Sequence, residues 1–121
     1  MPFVNDAKHV MLNALGAVAV KAALYTDDPG ANGTANEVTG GSPAYARKTI
    51  AWNAASGGEM AKNPSPAVVF DVPACTVKYA GFWNLAGTVY YGAEPVVNET
   101  FGAQGTYTLL DTSKLKIDNP A

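Results

Sequence analysis

The side chains of this sequence best suited to chemistry are His9, Cys75 and the pair Asp27-Asp28. His9 is the only histidine and Cys75 the only cysteine. A histidine base needs a nucleophile and an orienting acid, and no Gly-x-Ser-x-Gly or active-cysteine context provides them. We therefore expect His9 to be a surface or helix-cap residue and Cys75 to act as a small hydrophobic residue.

The pair Asp27-Asp28 could begin a calcium loop or supply two carboxylates to a reaction. Pro29-Gly30-Ala31-Asn32 follows, which does not place oxygen ligands at the offsets that a calcium loop requires. Asp before Pro-Gly is typical of an Asx turn that ends a strand. The sequence thus predicts no catalytic residues, no cofactor-binding residues and no metal site, and the chain is not expected to be an enzyme.

Composition narrows the choice of partners. The chain has 121 residues, 48% of them hydrophobic and 15% charged, with a formal net charge of −2. This length fits a single domain spanning residues 1–121, and the weakly acidic balance disfavours binding to nucleic acid. No apolar run reaches the roughly 18 residues needed to cross a bilayer, so no membrane partner is expected. One reduced cysteine and no evident signal peptide fit synthesis in a cytosol.

The elements that position these residues begin with a helix over about 5–15. One helical face carries an apolar stripe that we expect to pack on a sheet, made of Ala7, Val10, Met11, Ala14, Leu15 and Val18. Asn5 or Asp6 is the expected N-cap and Gly16 the expected end of the helix.

Strands are predicted from about residue 18 onward. The segments share period-two alternation or β-branched and aromatic enrichment, with Pro, Gly, Asn or Asp at their ends: Val18–Tyr25, Tyr45–Trp52, Ala67–Val72, Thr76–Trp83, Thr88–Tyr91, Thr106–Leu110 and Lys114–Ile117. Pro64, Pro66 and Pro95 indicate edge or bulge positions. The fold class is mainly β, an antiparallel β-sandwich or jelly-roll-like domain with one N-terminal α-helix.

The expected core contains large apolar side chains from the helix and the strands: Val10, Leu15, Leu24, Ile50, Val69, Phe70, Phe82 and Leu109. The strands are rich in aromatic residues, which we interpret mainly as packing. Exposed Trp and Tyr forming a sugar-stacking platform is the alternative. Two segments, Asp27–Pro43 and Glu94–Gln104, are long and rich in Gly, Asn or Pro, so we expect them to supply contact surfaces.

Several segments, taken in order, carry a resemblance to a known family: MLNAL at 11–15, ALYTDDPG at 23–30, ANEVTGGSPAYARK at 35–48, VFDVPA at 69–74, YAGFWN at 79–84 and ETFGAQGTY at 99–107. Together they resemble a family of small structural proteins of tailed bacteriophages, commonly labelled phage tail fibre proteins and found in actinobacterial phages and related prophages. The resemblance implies a virion component without catalytic residues.

The chain is short and has no internal repeat, so it cannot form a long fibre by itself. Three functions stay open. The first is a small tail fibre, tail-tip or minor tail module, the second a capsid decoration protein on the head lattice, and the third a host-glycan-binding module. Expected partners are other virion proteins, either tail or major capsid subunits. A homo-oligomer is expected as well, and a trimer suits both fibre-tip and decoration geometry.

Overall fold

The computed structural model describes residues 4–62, 67–109 and 114–116. They form a mainly-β fold with an N-terminal helix, and all strand pairs are antiparallel. This confirms the predicted fold class. The helix α1 covers Asn5–Val18, and eight strands follow in these described residues: β1 Lys21–Tyr25, β2 Lys48–Thr49, β3 Glu59–Ala61, β4 Val68–Val72, β5 Cys75–Trp83, β6 Tyr90–Phe101, β7 Gly105–Leu109 and β8 Lys114–Lys116.

The strands form one large and two small sheets. The large sheet has the order β2-β1-β5-β6, and β4-β7 and β3-β8 form two-stranded sheets. Strand β4 continues into β5 through Pro73-Ala74, and β6 continues into β7 through residues 102–104. The β5–β6 and β4–β7 pairs are therefore two parts of one long hairpin, which bends between them. The bend places the β4-β7 sheet against a face of the large sheet.

The core lies between these two sheets, as in a sandwich. Leu24 of β1 and Phe82 of β5 contribute from the large sheet, while Phe70 of β4 and Leu109 of β7 contribute from the small one. The other face of the large sheet carries a second cluster, made of Ala23, Tyr25 and Trp83. Strand β1 is therefore buried on both faces.

Predicted strand positions agree best for β4, β5 and β7, which match Ala67–Val72, Thr76–Trp83 and Thr106–Leu110 to within a residue over the described part of the chain. The last predicted strand, Lys114–Ile117, likewise coincides with β8. Leu110, Ile117, Pro64 and Pro66 lie outside the described residues. The sequence did not indicate β3, since its three residues are too few to display a period.

Other boundaries were wrong. Val18–Val20 is not strand, because the helix continues to Val18. Of Tyr45–Trp52, β2 pairs with two residues of β1, and Trp52 forms an isolated antiparallel bridge with Lys62. The predicted Thr88–Tyr91 is the start of β6, which runs on to Phe101, so most of the Glu94–Gln104 segment is strand rather than loop.

Pro95 is confirmed in the predicted edge or bulge position. It lies in β6, at the edge of the large sheet, where a missing N–H breaks no ladder on the outer side. The pairing register with β5 also shifts beside it, between Val77 and Tyr79.

The helix differs from the prediction in its ends and in the face it buries. Val4 is the N-cap residue and no side chain caps the helix, so neither Asn5 nor Asp6 has that role. Gly16 lies within the helix. Val10, expected in the core, is 71% exposed, and Leu12 on another side of the helix is 1% exposed.

The remaining core predictions are mostly confirmed. Five of the expected residues are buried, namely Leu24, Ile50, Phe70, Phe82 and Leu109. Leu15 is half-buried and packs against the same core. The predicted burial of Val69 is wrong, because its side chain is 42% exposed. Val69 alternates with the buried Val68 and Phe70 and points away from the large sheet.

Candidate functional site

The segment between β1 and β2 leaves the sheet after β1 and returns to it, and backbone hydrogen bonds hold both points to the sheet. Thr26 N donates to the Asn36 carbonyl oxygen at 2.9 Å, and Val38 N donates to the Leu24 carbonyl oxygen at 3.0 Å. These bonds place Glu37 opposite Tyr25. The chain therefore leaves β1, folds over residues 27–36, and returns beside the same strand.

The predicted Asx turn forms at the start of this excursion. Asp27 Oδ1 accepts from the N–H of Asp28, and Asp28 Oδ1 accepts from the N–H of Gly30, both at 2.8 Å. The Asn36 side-chain amide donates to the Asp28 carbonyl oxygen at 2.9 Å. The two aspartates thus fold the backbone, as predicted.

An ion pair holds the returning chain. Arg47 donates from Nε to Glu37 Oε2 and from Nη2 to Oε1, each at 2.9 Å, so the contact is bidentate. Tyr45 donates its hydroxyl proton to Glu37 Oε2 at 2.9 Å and accepts from the Leu24 N–H at 2.9 Å. Bidentate charge-assisted bonds are among the stronger hydrogen bonds, and they fix geometry as well.

The ion pair sits on a cluster of aromatic rings. The Arg47 guanidinium carbon lies 4.0 Å from the centre of the Trp83 ring. Trp83 donates its indole N–H to the Tyr25 hydroxyl, which donates to the Gly33 carbonyl oxygen, both at 2.9 Å. The Tyr90 ring lies 5.2 Å from the Trp83 ring and packs against Gly33. We call these residues the loop clamp: Tyr25, Gly33, Glu37, Tyr45, Arg47, Trp83 and Tyr90.

The protonation states in the loop clamp suit a structural contact. Burial raises the pKa of Tyr25 and of Tyr45, so both phenols keep their protons at neutral pH. Hydrogen bonding to Glu37 raises the pKa of Arg47, which stays charged. Both phenols therefore act in the loop clamp as protonated hydrogen-bonding groups, Tyr25 toward Gly33 and Tyr45 toward Glu37.

A shallow groove adjoins the loop clamp. It has a volume of about 400 Å³. The Tyr90 ring is half-buried at the groove and Trp83 is 6% exposed. Polar side chains from the loop and from the β5–β6 turn complete the wall, with lining residues Ala31, Asn32, Thr34, Trp83, Thr88, Val89 and Tyr90.

The sequence-predicted chemical residues are not brought together. His9 Nε2 accepts a hydrogen bond from the Gly58 N–H at 2.9 Å, so the histidine joins α1 to the turn before β3. Cys75 is half-buried beside the core, and burial raises the pKa of its thiol. Cys75 therefore behaves as a small hydrophobic residue, as expected.

Within 4–62, 67–109 and 114–116, no three or more His, Cys, Asp or Glu side chains lie close enough together to hold a metal ion. In the same residues, no helix has the length and apolar character required to span a membrane.

The aromatic residues pack, for the most part, as the sequence indicated. Phe70, Phe82 and Tyr107 are buried between the sheets, and Trp52 meets Phe82 edge-on with ring centres 5.2 Å apart. Among the described aromatic residues, Tyr91 has an exposed side chain, at 38%. A continuous platform of exposed rings is therefore not formed by the described aromatic residues.

The sequence analysis missed the loop clamp. Glu37 and Arg47 are ten positions apart and Trp83 is far from both in sequence, so no local period links them. The available signal was weak: Arg47 and Trp83 lie within predicted strands, and Glu37 lies in the segment predicted to connect two strands. Only the antiparallel pairing of β1 with β5 brings the three side chains to one face.

Comparison with known proteins identifies the family. The family model described as Podophage GP4 fiber I protein gp80 matches residues 10–117, which is most of the chain. The chain belongs to this family of phage fibre proteins. No curated protein gives a significant match. No solved structure does so either.

Proposed function

We propose that the chain is a non-enzymatic structural component of a tailed-phage virion, acting as a small tail fibre, tail-tip or minor tail module. Membership of a phage fibre family supports the structural role. In this proposal the chain works as a repeated subunit in contact with other virion proteins, and it is made in the host cytoplasm before assembly.

The observation that carries the proposal is the loop clamp. It holds a long, mostly exposed segment, residues 27–44, against the large sheet through the Glu37–Arg47 ion pair and the Tyr25–Gly33 hydrogen bond. A surface that is fixed before contact loses less conformational entropy on binding than a mobile loop does. The internal contacts of this loop therefore favour a contact surface that is preorganised before docking.

The first experiment locates the protein on particles. Purified virions labelled with an antibody to this chain, or resolved as density, should carry it on the tail. Label on the head lattice would instead support the capsid decoration alternative, and absence of label from intact particles would contradict a structural role.

The second experiment tests the loop as the contact surface. Thr34 and Thr108 are both exposed threonines, the first in the loop and the second on the outer face of β7. Thr34→Lys should reduce incorporation into particles while the isolated protein keeps its melting temperature, and Thr108→Lys should incorporate normally. Equal incorporation of both variants would exclude this part of the loop as the contact.

The groove beside Tyr90 supports a second candidate function, binding of a host glycan. A ring edge flanked by the amide of Asn32 and the hydroxyls of Thr34 and Thr88 suits a neutral sugar, which needs both an apolar face and hydrogen-bonding groups. The isolated protein should then bind purified host cell-wall polysaccharide, and the double variant Asn32→Ala, Thr34→Ala should bind it at least tenfold more weakly. Unchanged binding by that variant would place any glycan contact elsewhere.

A further inference from the structure

Asn32 and Gly33 form the single Asn-Gly pair of the sequence. An asparagine is chemically labile when the backbone nitrogen of the following residue can reach its side-chain amide carbon, because attack of that nitrogen closes a five-membered ring. A Cβ on the following residue obstructs this approach, and glycine has none. The pair therefore places an electrophile, the Asn32 Cγ, next to an accessible nucleophile, the Gly33 nitrogen.

The contacts of the asparagine side chains single out Asn32. Asn36 donates its side-chain amide to the Asp28 carbonyl oxygen, and Asn84 Oδ1 accepts from two backbone N–H groups of its own turn. The Asn32 side chain is exposed and makes no hydrogen bond to any residue within the described ranges. Its amide can therefore rotate toward the backbone without breaking such a contact.

The Gly33 N–H is held only weakly. It donates to the Gly30 carbonyl oxygen at 3.4 Å, which is beyond the usual N–H···O range of about 2.7–3.2 Å. Breaking so long a hydrogen bond costs little when the nitrogen turns toward the Asn32 side chain.

The loop clamp itself requires glycine at position 33. Gly33 is buried, its φ is 69°, and an added Cβ would lie 2.4 Å from the Tyr90 ring. Its carbonyl oxygen accepts from the Tyr25 hydroxyl at 2.9 Å. The packing that fixes the loop thus selects the residue type that makes the preceding asparagine reactive.

We propose that Asn32 is a site of spontaneous covalent modification in the folded chain, and that one of the products releases the loop clamp. The Gly33 nitrogen forms a bond to the Asn32 Cγ, the bond from Cγ to Nδ2 breaks, and the amide group leaves as ammonia with the proton of that nitrogen. Water then opens the cyclic imide at either of its carbonyl carbons. One opening gives aspartate, and the other gives isoaspartate, whose main chain runs through Cβ and Cγ.

The two products differ in their effect on the loop. Aspartate keeps the normal backbone and adds one negative charge at an exposed position. Isoaspartate adds a methylene group to the backbone directly before Gly33, so Gly33 cannot keep both the hydrogen bond from Tyr25 and the packing against Tyr90. The buried Tyr25 hydroxyl then loses its acceptor, which is destabilising. Isoaspartate should therefore lower the stability of the chain, and aspartate should not.

The first measurement follows the purified full chain during storage in mildly alkaline buffer, well below its melting temperature. Peptide mass spectrometry reports the conversion of each asparagine, and enzymatic methylation of isoaspartate distinguishes the two products. Asn53 is the internal control, because its side chain is also exposed and without hydrogen bonds to the described residues, but Ala54 follows it. Conversion at Asn32 should be faster by about tenfold or more, since glycine leaves the approach open. Equal rates at the two positions would overturn the proposal.

The second measurement separates this chemistry from general damage on storage. Asn32→Gln needs a larger ring for the same attack, so its melting temperature should not change during storage. Freshly purified Asn32→Asp carries the charge of the aspartate product on a normal backbone and should melt like the fresh wild type.

The isoaspartate fraction of stored wild-type protein, isolated by ion exchange, should melt lower than the fresh wild type by roughly 4 °C or more. An isoaspartate fraction that melts like the fresh wild type would overturn the release of the loop clamp. An equal fall in stored Asn32→Gln would do the same, because the loss would then not come from position 32.

Both measurements use the purified chain and do not depend on its place in a particle. Label on the head lattice would overturn the proposed tail role and leave the modification of Asn32 standing. An unreactive Asn32 in a chain that lies on the tail would overturn the modification alone.

Discussion

Arg47 contacts Glu37 with both ends of its guanidinium fork, at 2.9 Å each, while one face of the fork covers the Trp83 ring. The two side chains are 27% and 20% exposed, so this pair lies between a surface ion pair and a buried one. It joins the end of the loop to the face of β5. Its contribution should therefore exceed that of an ordinary surface salt bridge.

A double-mutant cycle measures that contribution. Glu37→Ala, Arg47→Ala and the double variant should give a coupling free energy of about 1–2 kcal/mol in urea unfolding, because two charge-assisted hydrogen bonds are lost together. Arg47→Lys is the control for charge alone. Lysine keeps the charge but cannot form the fork or cover the ring in the same way, so this variant should resemble Arg47→Ala. A coupling near zero would contradict the role of the pair in fixing the loop.

Gly33 and Gly40 provide a matched pair of glycine substitutions in the loop. Both have positive φ, 69° and 87°, so alanine is strained at either position by about 1 kcal/mol. A Cβ at Gly33 would also lie 2.4 Å from the Tyr90 ring, whereas a Cβ at Gly40 meets nothing within 4 Å. Gly33→Ala should therefore lower the free energy of unfolding by clearly more than Gly40→Ala does. Equal losses would mean that Tyr90 does not pack on Gly33.

Leu24 and Val69 test the position of the core. Leu24 is fully buried between the sheets, and Leu24→Ala should cost about 2–5 kcal/mol through lost burial and the cavity left behind. Val69, in contrast, points to solvent, and Val69→Ala should change stability by less than about 0.5 kcal/mol. Thermal or denaturant unfolding of both variants measures the difference. A large loss for Val69→Ala would show that the outer face of β4 is covered in solution.

The predicted strands succeeded where a local signal was sufficient. β4, β5 and β7 have β-branched or aromatic residues in alternation, and the Asx turn at Asp27-Asp28 forms from neighbouring residues. β6 was underestimated because Glu94, Pro95 and Asn98 disfavour a strand locally. Pairing along β5 from Cys75 to Trp83 outweighs those preferences, and this pairing is a tertiary effect that propensity does not contain.

The helix shows a different limit of sequence analysis. Periodicity correctly identified the apolar stripe that includes Val10 and Val18, but it cannot tell whether such a stripe faces its own chain or another one. Contacts of His9 and Asn13 with backbone N–H groups at 55 and 58 decide the orientation, and they depend on where the chain places those turns. The loop clamp was missed for the same reason.

The buried phenols predict a loss of stability in alkali. Burial raises the pKa of Tyr25 and of Tyr107, and it raises that of Tyr45 as well. In the unfolded chain these phenols titrate near their ordinary pKa of about 10. Above that pH the unfolded chain has lost protons that the folded chain keeps, so the folded state binds more protons and its stability falls as the pH rises.

The contribution of these phenols should be fully present below pH of about 10 and decrease above it, by up to about 1.4 kcal/mol per pH unit for each phenol that keeps its proton. Urea unfolding at a series of pH values measures the slope, and the ultraviolet absorbance of phenolate reports ionisation in the folded protein. Tyr107→Phe is the control, because it removes one phenol, whose hydroxyl donates a hydrogen bond to the Val97 carbonyl oxygen at 3.2 Å. Above pH of about 10, the unfolding free energy of this variant should fall less steeply with pH, by the contribution of one phenol. A stability that stays constant through this range would mean that these tyrosines ionise alike in the folded and unfolded chains, and hence that the loop clamp and core admit water.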